Sequence, residues 1–171
     1  MRRLAVQLRA RWRSFAGEAD RARLESRELW SFLRSRRVEG EPGMAAVPRF
    51  AWPVTGRLTD RFGMRYGRMH DGIDIVVPAG TPVHPALRGL VLLAGKRPIY
   101  GNVVVLGHGR DLATVYAHLE SVEVAEESVV DPERQLGTVG STGRSFGAHL
   151  HFEARFDGTP VDPLVFLPQT I

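Results

Sequence analysis

All six histidines of the chain fall between positions 70 and 151 inclusive. Histidine is the side chain best suited to ligate a transition metal or to carry protons at neutral pH. Because the sequence contains no cysteine, a metal site must be built from His, Asp or Glu. His149 and His151 stand two residues apart, so on a β-strand both imidazoles face one side while Leu150 enters the core. Alone this pair is a weak signal, since surface histidines are common on strands.

A second candidate group is the run His70-Asp71-Gly72-Ile73-Asp74. On a continuous strand, His70 and Asp74 would stand roughly 13 Å apart, too far to share an ion whose ligand bonds are about 2 Å long. A bend at Asp71 and Gly72 would bring them together, because aspartate and glycine are favoured in turns. The β-branched residues that follow disfavour a helix. We therefore expect Asp74 to face outward at the start of a strand, with its isoleucine neighbours turned inward.

A third candidate, His118, ends a segment that has the composition of a strand. Strict alternation places Leu112, Thr114, Tyr116 and His118 on one face of that strand. At the end of the strand, His118 could reach a site formed by the other two segments. Taken alone, such a histidine is more often structural or exposed.

The remaining polar candidates receive structural assignments. His108 is expected to close a hairpin, and His84 to lie in a loop or at a strand end. Asn102 and Tyr116 could line a groove, but a structural hydrogen bond is at least as good an explanation for each. Glu153 shares the face of the histidine pair only if the strand stays regular, and it is not assigned to the site.

Short strands must position these residues. From about Phe50 onward, runs rich in Val, Ile, Leu and Thr are separated by Gly and Pro about every ten residues, and no useful length of sequence has the helical period. This pattern predicts an all-β fold, a compact antiparallel β-sheet domain that is packed or partly rolled together. The predicted strands span 72–77, 87–94, 102–106, 112–118, 135–139 and 150–156.

The N-terminal part has a different pattern. Over positions 2–37, apolar residues recur every seven positions from Leu8 to Leu29, which gives one apolar stripe flanked by Arg and Glu. A run with Gly and Pro at 40–43 then marks a linker. We predict an Arg-rich α-helical arm and linker over 1–43 and a β domain over 44–171. The arm could pack on the domain, associate with another copy as a coiled coil, or lie on an anionic membrane surface.

The positive charge of the chain is concentrated in this arm. Residues 1–42 hold eleven Arg against six acidic side chains, whereas the whole chain has a net charge of +4, so the β domain is close to neutral. The domain therefore offers no evident basic face, and we expect no nucleic-acid partner. No stretch has the apolar length of a membrane span. Arginines near the N-terminus interrupt the first segment, so no signal peptide is expected in the sequence as written.

Several motifs of the β region stand in one order along the chain. They are Arg61-Phe62-Gly63, His70-Asp71-Gly72-Ile73-Asp74, Gly80-Thr81-Pro82-Val83, Tyr116-Ala117-His118-Leu119, the tract 140–153 ending in His149-Leu150-His151-Phe152-Glu153, and Pro160-Val161-Asp162-Pro163. Together they resemble the LytM/lysostaphin-type zinc metallopeptidases over about residues 50–168. Two departures are a turn at 130–135 without the family's usual Lys and Gly, and a short interval before His70 that implies a small or absent loop.

The resemblance implies a zinc (Zn2+) site in which His70, Asp74 and His151 are the ligands. It also implies that His118 and His149 are catalytic residues that do not bind the metal. Three protein ligands leave a fourth zinc position for water, the arrangement of a catalytic site. We take His149 as the general base and His118 as the residue that orients substrate or stabilises the tetrahedral intermediate, although the two roles could be exchanged.

The implied activity is zinc-dependent endopeptidase hydrolysis of peptide stems or cross-bridges in bacterial cell-wall peptidoglycan. Such a substrate predicts a place in the cell envelope, periplasmic or extracellular, even though no export signal is visible. The main rival is a non-catalytic domain of the same fold that binds the wall or activates an amidase. A third possibility is a zinc-storage or sensory protein that binds metal without hydrolysis. The sequence leaves open which peptidoglycan bond is cut.

Overall fold

The computed structural model describes residues 48–65, 67–109 and 111–169. Within these ranges the chain is built from antiparallel strands, and the only helical element there is a 3-10 turn at Pro163–Val165. No helix in the described ranges has the length and hydropathy to cross a membrane. The strands are β1 (Arg57–Asp60), β2 (Gly63–Arg65), β3 (Arg68–His70), β4 (Ile73–Val76), β5 (Pro82–Val83), β6 (Gly89–Arg97), β7 (Gly101–Gly107), β8 (Leu112–Val122), β9 (Val129–Val130), β10 (Gly137–Val139), β11 (Leu150–Phe156) and β12 (Thr159–Val161).

The predicted all-β, antiparallel fold is confirmed for the described residues. The predicted helical arm and the domain boundary at residue 43 lie outside them. The strand at 150–156 appears as predicted in β11, whereas β8 continues beyond residue 118 to Val122. His118 therefore lies inside a strand and not at its end. Six short strands were not predicted, because so few residues cannot show the alternation of apolar and polar side chains that marks a strand. They are β1, β2, β3, β5, β9 and β12.

Ten of the described strands form one sheet whose main path runs β1-β4-β11-β8-β7-β6-β9. On the side of this path, β12 pairs with β11, and β10 pairs with both β8 and β5. The β2 and β3 strands form a separate hairpin that fills the short interval before His70. Because β11 lies between β4 and β8, three segments that are distant in sequence become neighbours in the middle of the sheet.

The hydrophobic core lies against one face of these three central strands. Ile73 and Ile75 of β4, Leu150 and Phe152 of β11, and Tyr116 of β8 are fully buried in one apolar cluster. Burying an Ile, Leu or Phe side chain is worth about 1.5–3 kcal/mol. Alternate residues of a strand point to opposite faces, so a slip of one residue would expose this whole set. The core therefore holds the intervening polar residues on the other face of the sheet.

Candidate metal centre

The corner between β3 and β4 places His70. This histidine is the last residue of β3 and β4 begins at Ile73, so the predicted bend falls at Asp71 and Gly72. A Cβ atom on Gly72 would lie 2.3 Å from the carbonyl oxygen of Phe152. Glycine is therefore required here because two backbones approach closely, and not because of an unusual φ angle.

The pairing of β4 with β11 brings Asp74 and His151 together. These two residues are directly opposite in the antiparallel register. Opposite side chains on neighbouring strands have Cβ atoms about 4.5–5.5 Å apart, within reach of each other. His151 Nδ1 lies 2.8 Å from Asp74 Oδ1. As predicted, Asp74 faces away from its buried neighbour Ile73.

The Nε2 atom of His70 completes a triangle of potential ligand atoms. It lies 3.2 Å from Asp74 Oδ1 and 3.2 Å from His151 Nδ1. Tetrahedral zinc with bonds of about 2.0–2.2 Å has ligand atoms about 3.3 Å apart, so the spacing fits one such ion. All three residues are buried, with at most 8% of their surface exposed. Among the described residues, no other group of three His, Cys, Asp or Glu converges in this way.

The second ring nitrogen of each candidate ligand histidine is engaged by an oxygen. His70 Nδ1 donates to the carbonyl oxygen of Arg61 at 2.9 Å, and His151 Nε2 donates to Glu153 Oε1 at 3.0 Å. A neutral imidazole carries a proton on only one nitrogen. In a neutral ring these hydrogen bonds place the lone pair on Nε2 of His70 or Nδ1 of His151, the two atoms that face Asp74, whereas a protonated His151 donates from Nδ1 to Asp74.

Glu153 is a residue of this centre that the sequence analysis did not assign. Its side chain is 1% exposed, and besides His151 it accepts hydrogen bonds from Tyr100 and Arg155. The signal in the sequence was the two-residue spacing between His151 and Glu153, which puts both side chains on one face of a regular strand. The register of β11 with β8 is regular, so Glu153 does lie on the face of His151. Nothing in the sequence pointed to Tyr100, which lies in the turn between β6 and β7.

Two carboxylates, those of Asp74 and Glu153, contact the His151 ring from either side. Burial alone would raise the pKa of Asp74, but hydrogen bonds from His151 and His70 outweigh it and hold that pKa far below its usual value. Burial opposes a charge on His151, yet its hydrogen bonds to Asp74 and Glu153 raise its pKa to about 9. Burial would also raise the pKa of Glu153, but Arg155 and His151 lower it to about 2. The two carboxylates thus favour a positive charge between them.

A β-bulge carries His118 to the centre. Opposite β7, strand β8 has one extra residue between Tyr116 and Leu119, and His118 has a φ of 62°. Such a bulge interrupts alternation and turns the next side chain to the other face. The prediction that Tyr116 and His118 share a face is therefore wrong. Tyr116 lies in the core, whereas the His118 ring centroid is 4.8 Å from that of His149.

His118 is held as a neutral imidazole. Burial and the charge of His151 lower the pKa of His118 to about 4, and the hydrogen bond to Thr142 offsets only part of this. That bond runs from Nδ1 to the Thr142 carbonyl oxygen at 2.8 Å. At neutral pH the Nε2 atom of His118 therefore carries a lone pair and no proton.

His149 presents its Nε2 atom to the same centre. It directly precedes β11, and its backbone pairs with Gly140. Its Nδ1 lies 2.8 Å from the carbonyl oxygen of Gly147 and 3.2 Å from Ser145 Oγ. Its Nε2 lies 3.8 Å from Asp74 Oδ1. The structure thus brings together all five residues selected from the sequence, and their roles as ligands and catalysts stay predictions.

The other polar candidates have structural contacts. His108 follows β7 and its backbone N–H donates to the Leu112 carbonyl oxygen, so it closes the β7–β8 hairpin as predicted. His84 follows β5, at a strand end as predicted. Asn102 Nδ2 donates to the Glu120 carbonyl oxygen at 2.9 Å. The hydroxyl group of Tyr116 accepts hydrogen bonds from Ala86 N and Thr114 inside the core, away from any groove.

The antiparallel β domain with its buried His-Asp-His cluster is similar to a known family of proteins. Residues 68–163, more than half of the 171-residue chain, match the model of Peptidase family M23. The chain belongs to this family. Its predicted membership of the LytM/lysostaphin-type peptidases is confirmed by this match.

Two curated relatives carry names of different kinds. DD-carboxypeptidase/endopeptidase Mpg of Neisseria meningitidis serogroup B is 44% identical over 122 residues, which cover 67% of this chain and 28% of Mpg. Murein hydrolase activator NlpD of Salmonella dublin is 36% identical over 126 residues, which cover 73% of this chain and 33% of NlpD. The chain thus spans about a third or less of the length of these relatives.

One of the similar solved structures is a peptidase that contains zinc. A zinc-containing peptidase from Vibrio cholerae has a TM-score of 0.62 and 33% sequence identity to this chain. The match covers 67% of this chain and 39% of that one. The family match at residues 68–163 includes the strands that carry the candidate ligands.

Proposed function

We propose that this protein is a zinc-dependent endopeptidase that hydrolyses peptide bonds in bacterial cell-wall peptidoglycan. The observation that carries the proposal is the convergence of Asp74 Oδ1, His70 Nε2 and His151 Nδ1 within 2.8–3.2 Å of one another. The endopeptidase name of Mpg and the zinc-containing peptidase of Vibrio cholerae support it. Peptide stems or cross-bridges of peptidoglycan are the proposed substrate, and the cell envelope is the proposed location.

The proposed ligands of zinc are His70, Asp74 and His151. Two imidazoles and one carboxylate are a donor set typical of catalytic zinc, and the cluster has the spacing that such an ion requires. When bound, zinc supplies Lewis acidity, which activates water and polarises a carbonyl group. The protein contributes rigid ligands, each of them fixed by a strand pairing or a hydrogen bond.

His149 and His118 are the proposed proton-handling residues. Each engages its Nδ1 with a backbone carbonyl oxygen, which leaves Nε2 to act on the substrate. A group with a pKa of about 4 is a weak base at neutral pH, so His118 is poorly suited to accept a proton there. We therefore propose that His149 is the general base, and that His118 orients the substrate or the tetrahedral intermediate.

Two substitutions test this proposal directly. His151→Ala should lose zinc and the release of peptides from purified sacculi, because it removes a ligand. His149→Ala should retain zinc but release peptides about 10²–10⁴-fold more slowly, the usual contribution of a general base. Zinc content by atomic absorption and fragment analysis by mass spectrometry give the two readouts. Digestion of sacculi by zinc-loaded His149→Ala at the parent rate would remove His149 from the mechanism.

An activator of other wall hydrolases is the second candidate function, because NlpD carries that name. Under this alternative the centre is not used for hydrolysis. The zinc-loaded protein would release no peptides from sacculi by itself, with or without a chelator, but would accelerate a purified amidase. Chelator-sensitive peptide release in the absence of any other hydrolase would favour the endopeptidase.

A further inference from the structure

A buried ionic network lies directly behind His151. Glu153 Oε1 accepts hydrogen bonds from His151 Nε2 and from the Tyr100 hydroxyl group, both at 3.0 Å. Glu153 Oε2 accepts a hydrogen bond from Arg155 Nε at 2.6 Å. The side chains of Glu153 and Arg155 are 1% and 2% exposed. A carboxylate buried this deeply is costly unless its partners satisfy both oxygens, and here they do.

The network reaches the other ligand-bearing segment. Arg155 Nη2 donates to Asp71 Oδ2 at 3.1 Å and to the Tyr100 hydroxyl oxygen at 3.3 Å, while Nη1 donates to the Gly158 carbonyl oxygen. Asp71 directly follows the candidate ligand His70 at the corner between β3 and β4. The guanidinium group therefore ties this corner to β11, the strand that carries His151.

The geometry of the Glu153–Arg155 contact indicates that this ion pair also orients the Glu153 carboxylate. Arginine and a carboxylate commonly form two parallel hydrogen bonds when they serve only each other. Here Arg155 contacts Glu153 through Nε and directs its other nitrogens elsewhere, so Oε1 is left for His151 and Tyr100. The carboxylate is thereby aimed at the imidazole.

We propose that Glu153 is a positioning residue for the metal centre, and that Arg155 and Tyr100 hold it in place. By accepting the Nε2 proton of His151, Glu153 fixes the ring orientation and the tautomer that present Nδ1 to zinc, and it makes that nitrogen a stronger donor. This inference rests on the proposed function, since it assumes that the cluster binds zinc.

Zinc affinity of the 171-residue chain tests the inference without any measurement of activity. Glu153→Gln keeps the size of the side chain but removes its charge, and we expect its zinc dissociation constant to rise 10–100-fold, the usual effect of losing such a partner. Tyr100→Phe removes one hydrogen bond to the same carboxylate, and we expect a smaller rise of several-fold. The constant is measured by competition with a chromogenic chelator.

The matched control is Tyr116→Phe, which removes a buried hydroxyl group from the core on the opposite face of the sheet. It should lower the melting temperature of the zinc-free protein and leave the zinc dissociation constant unchanged. If Glu153→Gln and Tyr100→Phe bind zinc as tightly as the parent, the network is only structural and the inference fails. If Glu153→Gln does not fold, Tyr100→Phe decides by itself. Failure of the parent to bind zinc would instead refute the proposed function.

Discussion

His118 combines an unusual backbone with a proposed role in chemistry. A φ of 62° lies in the left-handed region, where a residue other than glycine costs on the order of 1 kcal/mol. The neighbouring structure compensates this cost, since the Thr142 carbonyl oxygen accepts the Nδ1 proton and the Thr142 hydroxyl group donates to the Leu119 carbonyl oxygen. This backbone conformation turns the His118 imidazole toward His149.

At the residue scale we predict that His118→Asn retains zinc and loses turnover. Asparagine tolerates the left-handed region better than most residues, so the bulge should be kept. Loss of the imidazole should slow peptide release from sacculi about 10²–10⁴-fold. The same change at a histidine outside the centre, His84→Asn, is the control and should be neutral. Parent-level turnover by zinc-loaded His118→Asn would show that His118 takes no part in the reaction.

At the scale of elements, two irregularities of otherwise ordinary strands build the centre. The corner at Asp71 and Gly72 brings His70 back over Asp74, and the bulge in β8 brings His118 to the same face. Between them, β11 stays regular and carries His151 and Glu153 on that face. The proposed active site thus needs one regular strand, with a corner in the chain on one side of it and a β-bulge on the other.

The corner can be tested with Gly72→Ala. The added methyl group would lie 2.3 Å from the Phe152 carbonyl oxygen, and backbone atoms cannot move aside cheaply. Overpacking of this kind costs about 1–3 kcal/mol of unfolding free energy, and a displaced corner should also weaken zinc binding. Urea denaturation and chelator competition measure the two effects.

Gly147→Ala is the matched control for this change. Nothing lies within 4 Å of a Cβ atom at Gly147, so the unfolding free energy should change by less than about 0.5 kcal/mol. Equal stability of the two alanine variants would mean that the corner has room for a side chain.

At the scale of the whole molecule, a second polar network lies away from the metal centre. His108 Nδ1 donates to the Arg88 carbonyl oxygen, and its Nε2 is in hydrogen-bond contact with the Thr114 hydroxyl oxygen, each at 2.8 Å. The Thr114 oxygen is also 3.0 Å from the Tyr116 hydroxyl group in the core. Burial lowers the pKa of His108 to about 4, and the Arg88 contact only partly opposes this. The folded protein therefore prefers a neutral His108.

This preference makes stability depend on pH. In the unfolded chain a histidine titrates near pH 6.5, so above that pH both states are neutral and the stabilisation is complete. As the pH falls from about 6.5 toward 4, only the unfolded state gains the proton, and the folded state loses up to about 2 kcal/mol between pH 7 and pH 5. His108→Gln should reduce this loss, as measured by urea denaturation at both pH values. An identical pH dependence in parent and variant would contradict the assignment.

Much of the fold and of the candidate centre could be predicted from the sequence, because the relevant signals are local. Strand alternation around Leu150 predicted β11 and the common face of His149 and His151. The distance argument between His70 and Asp74 predicted the bend. The pattern also predicted an antiparallel all-β domain, and the motif order predicted the peptidase family. Apart from the order of the motifs, which spans much of the β domain, these features depend on residues within a few positions of one another.

Only the tertiary structure decided which strands are neighbours and where alternation fails. The placement of β11 between β4 and β8 sets Asp74 directly opposite His151, although they are far apart in sequence. The bulge that reverses His118 exists because β7 and β8 differ by one residue across their pairing. Likewise, Tyr100 meets Glu153 only across the folded sheet. Such contacts depend on the pairing of distant strands, which no local pattern of residue types encodes.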